Sequence, residues 1–130
     1  MTRINVGIHP SELPIKMLIA EHREIKRIPN CIKSGRYSLD GIPSKFTLGT
    51  GHVKFFYNKL AYLRRRYELI YLTCIGAPNH FNVNYYGSAF DGLPDTILGD
   101  YVATMDDRAL LVQRLREKGV NISNECEAMI

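Results

Sequence analysis

No run of apolar residues approaches the roughly 18 that a membrane span needs. The opening MTRINVGIHPSE has no apolar signal-peptide core. The expectation is a soluble, intracellular, cytoplasmic protein. Cysteine is scarce: Cys31, Cys74 and Cys126 form an odd, widely spaced set without a CxxC. That excludes a disulfide framework and a zinc site, and reads as free thiols. GxGxxG, GxxxxGK and HExxH are all missing, which removes the nucleotide-binding and zinc-protease motifs. His9, His22, His52 and His80 show no metal-ligand spacing; His22 falls on a core stripe and His52 suits a helix start. Lysine and arginine are absent between Arg66 and Arg108.

What is present fits one domain spanning residues 1–130, with 45% apolar and 23% charged residues, enough for a single hydrophobic core. The formal charge of +4 is unevenly spread. Residues 1–66 hold 13 Lys/Arg against 4 Asp/Glu, whereas residues 67–130 hold 4 against 9. A basic half of this kind favours a polyanion, with the phosphate backbone the commonest candidate. A solvated basic surface is the competing reading.

Val53, Phe56, Leu60, Leu63, Tyr67, Ile70 and Cys74 recur at alternating spacings of three and four, predicting one helix from His52 to about Cys74 that stops at Gly76 and Pro78. A first helix is expected over about Glu12–Ile28, with Ser11 as N-cap and Pro29 ending or kinking it. Its stripe is Ile15, Leu18, Ile19, His22 and Ile25 or Ile28, and its other face carries Lys16, Ala20, Arg23 and Arg27. A third helix is expected over about Asp106–Lys118, with Leu110, Leu111 and Leu115 inward and Gly119 after a basic last turn. Residues 30–51 and 77–101 are long irregular connections, where a strand pair of 36–39 with 46–48 is conceivable. The architecture predicted is all-α, a single domain of three main helices.

Thr2 is small enough to permit removal of the initiator methionine, which would leave its α-amine as the terminus. Such an amine has a reference pKa of about 7.7–8.0 against about 10.4 for lysine, so far more of it is free base at neutral pH. Arg3 next to it favours the neutral form further. A neutral amine attacks carbonyl-like carbon to form a Schiff base; the plainer reading is a frayed terminus that happens to carry Thr. Glu24, flanked by Arg23 and one turn from Arg27, is an ionised carboxylate suited to stabilising an oxocarbenium ion and relaying protons. An ordinary helix salt bridge with Arg27 is its alternative. Arg64, Arg65 and Arg66 point about 100° apart on a helix and are expected mainly at the solvated surface. Tyr85, Tyr86 and Phe90 either stack on bases or pack against the helices.

Several segments resemble the pyrimidine-dimer DNA glycosylase/AP lyase family. They are Met1-Thr2-Arg3-Ile4-Asn5, Ser11-Glu12-Leu13 with Ala20-Glu21-His22-Arg23-Glu24, and the run from Leu48 through Gly49-Thr50-Gly51-His52 to Leu60. Gly99-Asp100-Tyr101 and Arg114-Leu115-Arg116-Glu117-Lys118 complete the set. They keep the family's order and cover nearly the whole chain apart from its last dozen residues. The resemblance implies a largely helical, cofactor-free enzyme, needing no metal, that acts as a monomer on damaged double-stranded DNA. In it the Thr2 amine attacks C1′ of the damaged nucleotide, with Glu24 and its flanking Arg23 in the catalytic group, a base is flipped out of the stack opposite the lesion, and β-elimination then cuts the strand. Arg3, Arg23 and Arg27 match phosphate-gripping arginines, Arg114 and Lys118 match basic positions of the last helix, and Lys16 lies beside them in the DNA-binding set.

Two departures stand out. Met17 occupies a position that is histidine in the family's best-known member, and residues 121–130 form an acidic tail where that member has an aromatic, basic one. A glycosylase for another modified pyrimidine, or a non-catalytic module for distorted or abasic DNA, is therefore the alternative reading.

Overall fold

Pro29 shapes the first helical segment, because it has no N–H to offer the carbonyl of Ile25 and its ring crowds that oxygen. In the computed structural model, which describes residues 2–120 and Ile122, α1 covers Ile15–Glu24 and α2 resumes at Arg27–Lys33, with Pro29 in its first turn. The expected single helix is thus bent four residues ahead of the proline and runs on past it. Its start also differs. Ser11 is no N-cap; it sits in a 3-10 turn, Pro10–Glu12, where the His9 ring accepts from Ser11 N–H and Glu12 accepts from His9 N–H. Pro14 takes the N-cap of α1, and Ile15, expected inward, is the helix's first residue and exposed. Leu18, His22, Ile25 and Ile28 are buried as expected.

The second expected helix is broken. α3 covers His52–Phe55 and α4 covers Leu60–Ile75. Between them Gly99 comes in from far along the chain: its carbonyl accepts from Ala61 N–H at 3.1 Å and Tyr62 N–H at 3.3 Å, and its N–H donates to Asn58 O at 3.2 Å. Those are the groups a continuous helix would bond internally. A Cβ on residue 99 would lie 2.3 Å from Asn58 O, so only glycine permits the approach. The apolar stripe survives the break, with Phe56, Leu60, Leu63, Tyr67, Ile70 and Cys74 all buried.

α5 covers Met105–Glu117 and begins with a capping box in which Thr104 Oγ1 accepts from Asp107 N–H and Asp107 Oδ2 accepts from Thr104 N–H, both at 3.0 Å. Leu111, Val112 and Leu115 face the core, whereas Leu110, expected there, is exposed. No strand occurs among the described residues. The pairing imagined for 36–39 with 46–48 is absent, and Phe46 instead buries its ring against His52, Phe55 and Phe56. The all-α architecture with three long helices, α1, α4 and α5, is the observed one. Cys31 and Cys74 are free thiols, while Cys126 and the acidic tail, apart from Ile122, lie outside the described residues. No helix among the described residues is long and apolar enough to cross a membrane.

The N-terminal segment has no regular structure, yet Ile4, Val6 and Ile8 are fully buried, so its backbone polar groups need partners. Val6 N–H and Ile8 N–H donate within the segment to Ile4 O and Asn5 O, and three side chains serve further groups. Ile4 N–H donates to His52 Nε2 at 2.9 Å, Arg108 donates to Gly7 O at 2.9 Å, and Arg66 donates to Ile8 O at 2.8 Å. Gly7 has φ +77, and a Cβ there would press on Arg108 Cβ at 3.2 Å.

Arg66 corrects the sequence reading, for it is 2% exposed rather than at the surface. It lies on the buried face of α4 between Leu63 and Ile70 and grips Glu21 of α1 with two hydrogen bonds, Nε to Oε2 at 2.6 Å and Nη2 to Oε1 at 3.0 Å. Arg64 and Arg65 are exposed but paired with Asp91 and Asp100.

Removing one member of a buried pair strands the other charge. Arg66→Ala is expected to lower unfolding free energy by about 3–5 kcal/mol in urea titrations. Arg66→Met combined with Glu21→Leu strands no charge and should lose less, the remaining loss coming from Ile8 O and Asn5 Nδ2, which it leaves without these partners; equal losses in the two variants would contradict the pair's role.

Burial holds the pKa of His52 below its ordinary value, aided by Arg3 and opposed by the hydrogen bond to Thr47 O and by Glu21. Because Nε2 accepts from Ile4, the ring proton sits on Nδ1 and is donated to Thr47 O at 2.8 Å. Burial and Lys26 likewise lower His22. The unfolded chain therefore binds protons that the native chain does not once the pH drops past about 6.5, and stability, full above that pH, declines toward the folded values. The urea midpoint should fall between about pH 6.5 and 5.5, ahead of the carboxylate range. A flat midpoint across that window would show that these rings are not held neutral.

Candidate active site

One face of α1 presents Met17, Ala20, Glu21 and Glu24, at spacings that stack side chains along a helix. The end of α5 presents Leu115 and Lys118, one turn apart, and the pinned N-terminal segment presents Arg3 and Asn5 on either side of buried Ile4. Together they line a cleft of about 170 Å³. Three distant stretches of chain meet here because His52, Arg66 and Arg108 fix the N-terminal segment between α1, α4 and α5.

Three residues singled out in the sequence, Arg3, Glu24 and Lys118, share this cleft. The Glu24 side chain is 13% exposed and its ion-pair partner is Arg23, at 3.3 Å and 60% exposed, rather than Arg27. Burial, aided by the charge of Arg114 on α5, lowers the pKa of the Arg3 guanidinium. Arg114 also lies 3.7 Å from Glu117. Thr2 is half-buried and immediately precedes Arg3. Lys16 and Arg27 are exposed on α1 and α2 and, like Arg23, stand outside the cleft lining. Met17, where the resemblance led to histidine, forms part of the wall, so that position offers no hydrogen bond.

The floor of the cleft holds what the sequence reading passed over. Asn5 Nδ2 donates to Glu21 Oε1 at 2.6 Å, and Glu21 is held in turn by Arg66. Asn5 is 4% exposed, and its Oδ1 is buried with no hydrogen-bond partner among the described residues. A faint signal was available for Glu21: its own-helix neighbours three and four residues away, Met17, Leu18, Glu24 and Ile25, include no cation. A buried carboxylate on that face needed a partner from another element. His52 reads as a helix start in the sequence and is one, but its ring also anchors Ile4.

The aromatic residues of the second long connection mostly pack. Phe90 is buried, Tyr85 lies against Tyr71 and donates to Glu68, and the Tyr86 ring carries Lys26 Nζ at 3.6 Å. Among the described residues no three His, Cys, Asp or Glu side chains are grouped to hold a metal ion.

The cleft therefore sets two cations, Arg3 and Lys118, with the Glu24 carboxylate above a buried polar floor. Cations at Arg3 and Lys118 attract anions, and the carboxylate of Glu24 attracts positive charge. Among known families, the model of the one described as pyrimidine dimer DNA glycosylase matches residues 1–74. The matched part contains Arg3, Asn5, Glu21, Glu24, His52 and Arg66, and stops short of α5, which closes the third wall. More than half the chain is covered by that match, and the protein belongs to the pyrimidine dimer DNA glycosylase family.

Proposed function

We propose that the protein excises a pyrimidine dimer from double-stranded DNA as a monomer, and cleaves the strand, through an imine formed by the α-amine of Thr2 after Met1 is removed. The observation that carries this reading is the cleft in which Glu24 stands with Arg3 and Lys118, Arg3 being the residue that follows Thr2 in the chain. The free amine attacks C1′ as the glycosidic bond breaks and the pyrimidine departs with the bonding electrons. The Glu24 carboxylate stabilises oxocarbenium character at C1′ and moves protons during collapse to the imine. Loss of a C2′ proton then expels the 3′ phosphate in β-elimination. Arg3, Arg114 and Lys118 hold phosphates near the reacting sugar, and Arg23, Arg27 and Lys16 extend the contact along the outer face of α1 and α2. Neither a metal nor an organic cofactor has a step to perform in this sequence.

Borohydride trapping tests the reading. With protein whose intact mass lacks Met1, a covalent adduct is expected on duplexes carrying a single thymine dimer or a single abasic site, and the adduct should map to Thr2. Extending the chain by one residue ahead of Thr2 should abolish it. Trapping on the abasic duplex alone would make the protein a lyase for another modified pyrimidine, and trapping on neither would leave a binding module. Glu24→Gln should slow base release by about a hundredfold or more while changing duplex affinity only a few-fold. Turnover close to that of the unaltered protein would remove Glu24 from the mechanism. Affinity should also fall steeply with salt, because several cations meet phosphates.

A further inference from the structure

The amide of Asn5 is fixed at one end and unserved at the other. Its orientation is chemically determined, since Glu21 is held as a carboxylate by Arg66 and can only accept, so the atom 2.6 Å from Glu21 Oε1 is the amide nitrogen. The amide oxygen is then the buried acceptor without a partner among the described residues, at the floor of the cleft that Glu24 also lines. A buried acceptor of this kind takes a hydrogen bond from water or from a ligand. Glu21 and Glu24 are three residues apart on α1, which puts their Cβ atoms about 5–6 Å from one another. A water molecule donating to Asn5 Oδ1 from the cleft would lie in the space that Glu24 also lines.

Resting on the imine reading above, we propose that Asn5 is a positioning residue for the water that hydrolyses the imine and frees the enzyme from its product. The amide accepts one hydrogen bond from this water, which turns the oxygen lone pair toward C1′, and takes no proton itself. Water oxygen bonds to C1′ of the protonated imine, and its proton passes to Glu24, leaving a neutral carbinolamine. Glu24 returns that proton to the nitrogen. As the carbon–nitrogen bond breaks, the carbinolamine hydroxyl gives its proton to the same carboxylate and then to the departing amine. The net change is protonated imine plus water giving aldehyde plus the ammonium form of Thr2, with no oxidant or reductant involved. A neutral amide suits this task better than a carboxylate would, because a second anion beside Glu21 would be repelled and would itself compete for the proton.

The test follows the lifetime of the adduct. Protein is allowed to react with an abasic duplex, excess unlabelled duplex is added, and borohydride is introduced after increasing delays to read how fast the trappable species decays. Asn5→Ala is expected to lengthen that lifetime about tenfold relative to any change in the rate at which the adduct forms, the effect of losing one orienting hydrogen bond. Asn5→Ser, which restores a small acceptor, should recover much of the decay rate. Equal decay in the unaltered protein and Asn5→Ala would overturn the assignment. So would equal losses of formation and decay in both variants, which would make Asn5 part of the general architecture. Absence of any adduct in the unaltered protein would instead overturn the imine reading itself, so the two failures are distinguishable.

Discussion

Two buried guanidinium groups and one buried imidazole hold a segment of backbone that has no hydrogen bonds of its own to regular structure. Arg66 and Arg108 donate to the carbonyls of Ile8 and Gly7, and His52 accepts from the amide of Ile4. Each cation is balanced before it reaches the backbone, Arg66 by Glu21 and Arg108 by Glu12 at 2.7 and 2.8 Å. Without those carboxylates the arginines would be charges in a medium of low polarity, and without the arginines the carbonyls would be unsatisfied. The segment itself contributes Ile4, Val6 and Ile8 to the core. Apolar burial and polar satisfaction therefore act on the same seven or so residues, and the outcome is a fixed stance for Arg3 and Asn5 against α1.

The distribution of charge along the chain and its distribution in space are different things. The basic run of α4 is consumed internally: Arg64, Arg65 and Arg66 meet Asp91, Asp100 and Glu21, two of which come from the acidic half. Lys26 lies over Tyr86, and Lys59 is turned onto the Phe55 ring and the Phe55 carbonyl. The cations that line the cleft are Arg3 and Lys118, drawn from opposite ends of the chain.

The helices were legible wherever a local pattern met no competing long-range contact. The stripe from Val53 to Cys74, the capping sense of Asp106 and Asp107, and the effect of Pro29 all depend on neighbours within a turn or two. The interruption between α3 and α4 does not, because it is made by Gly99 inserting its carbonyl and amide into the helix's own hydrogen-bonding positions. Glu24 stood out through its arginine neighbours and through the resemblance. Asn5 and Glu21 sat inside the same quoted motifs without any mark of their role, since a buried amide and a buried carboxylate look like surface residues until their partners are known.

The sequence by itself determined the all-α class, three main helices, an N-terminal half rich in cations and the set of residues that resembles a dimer glycosylase. The class, the helices and the charge follow from periodicity and composition, which are properties of adjacent residues, whereas the resemblance rests on matched motifs. Only the tertiary structure decided that Arg66 is internal, that Glu24 pairs with Arg23, that Lys118 rather than Lys16 lines the cleft, and that Asn5 has at its floor an acceptor without a partner among the described residues. Each of those depends on partners separated by tens of residues, and the strength of a charge or hydrogen bond depends on whether such a partner and a low-polarity surrounding are present.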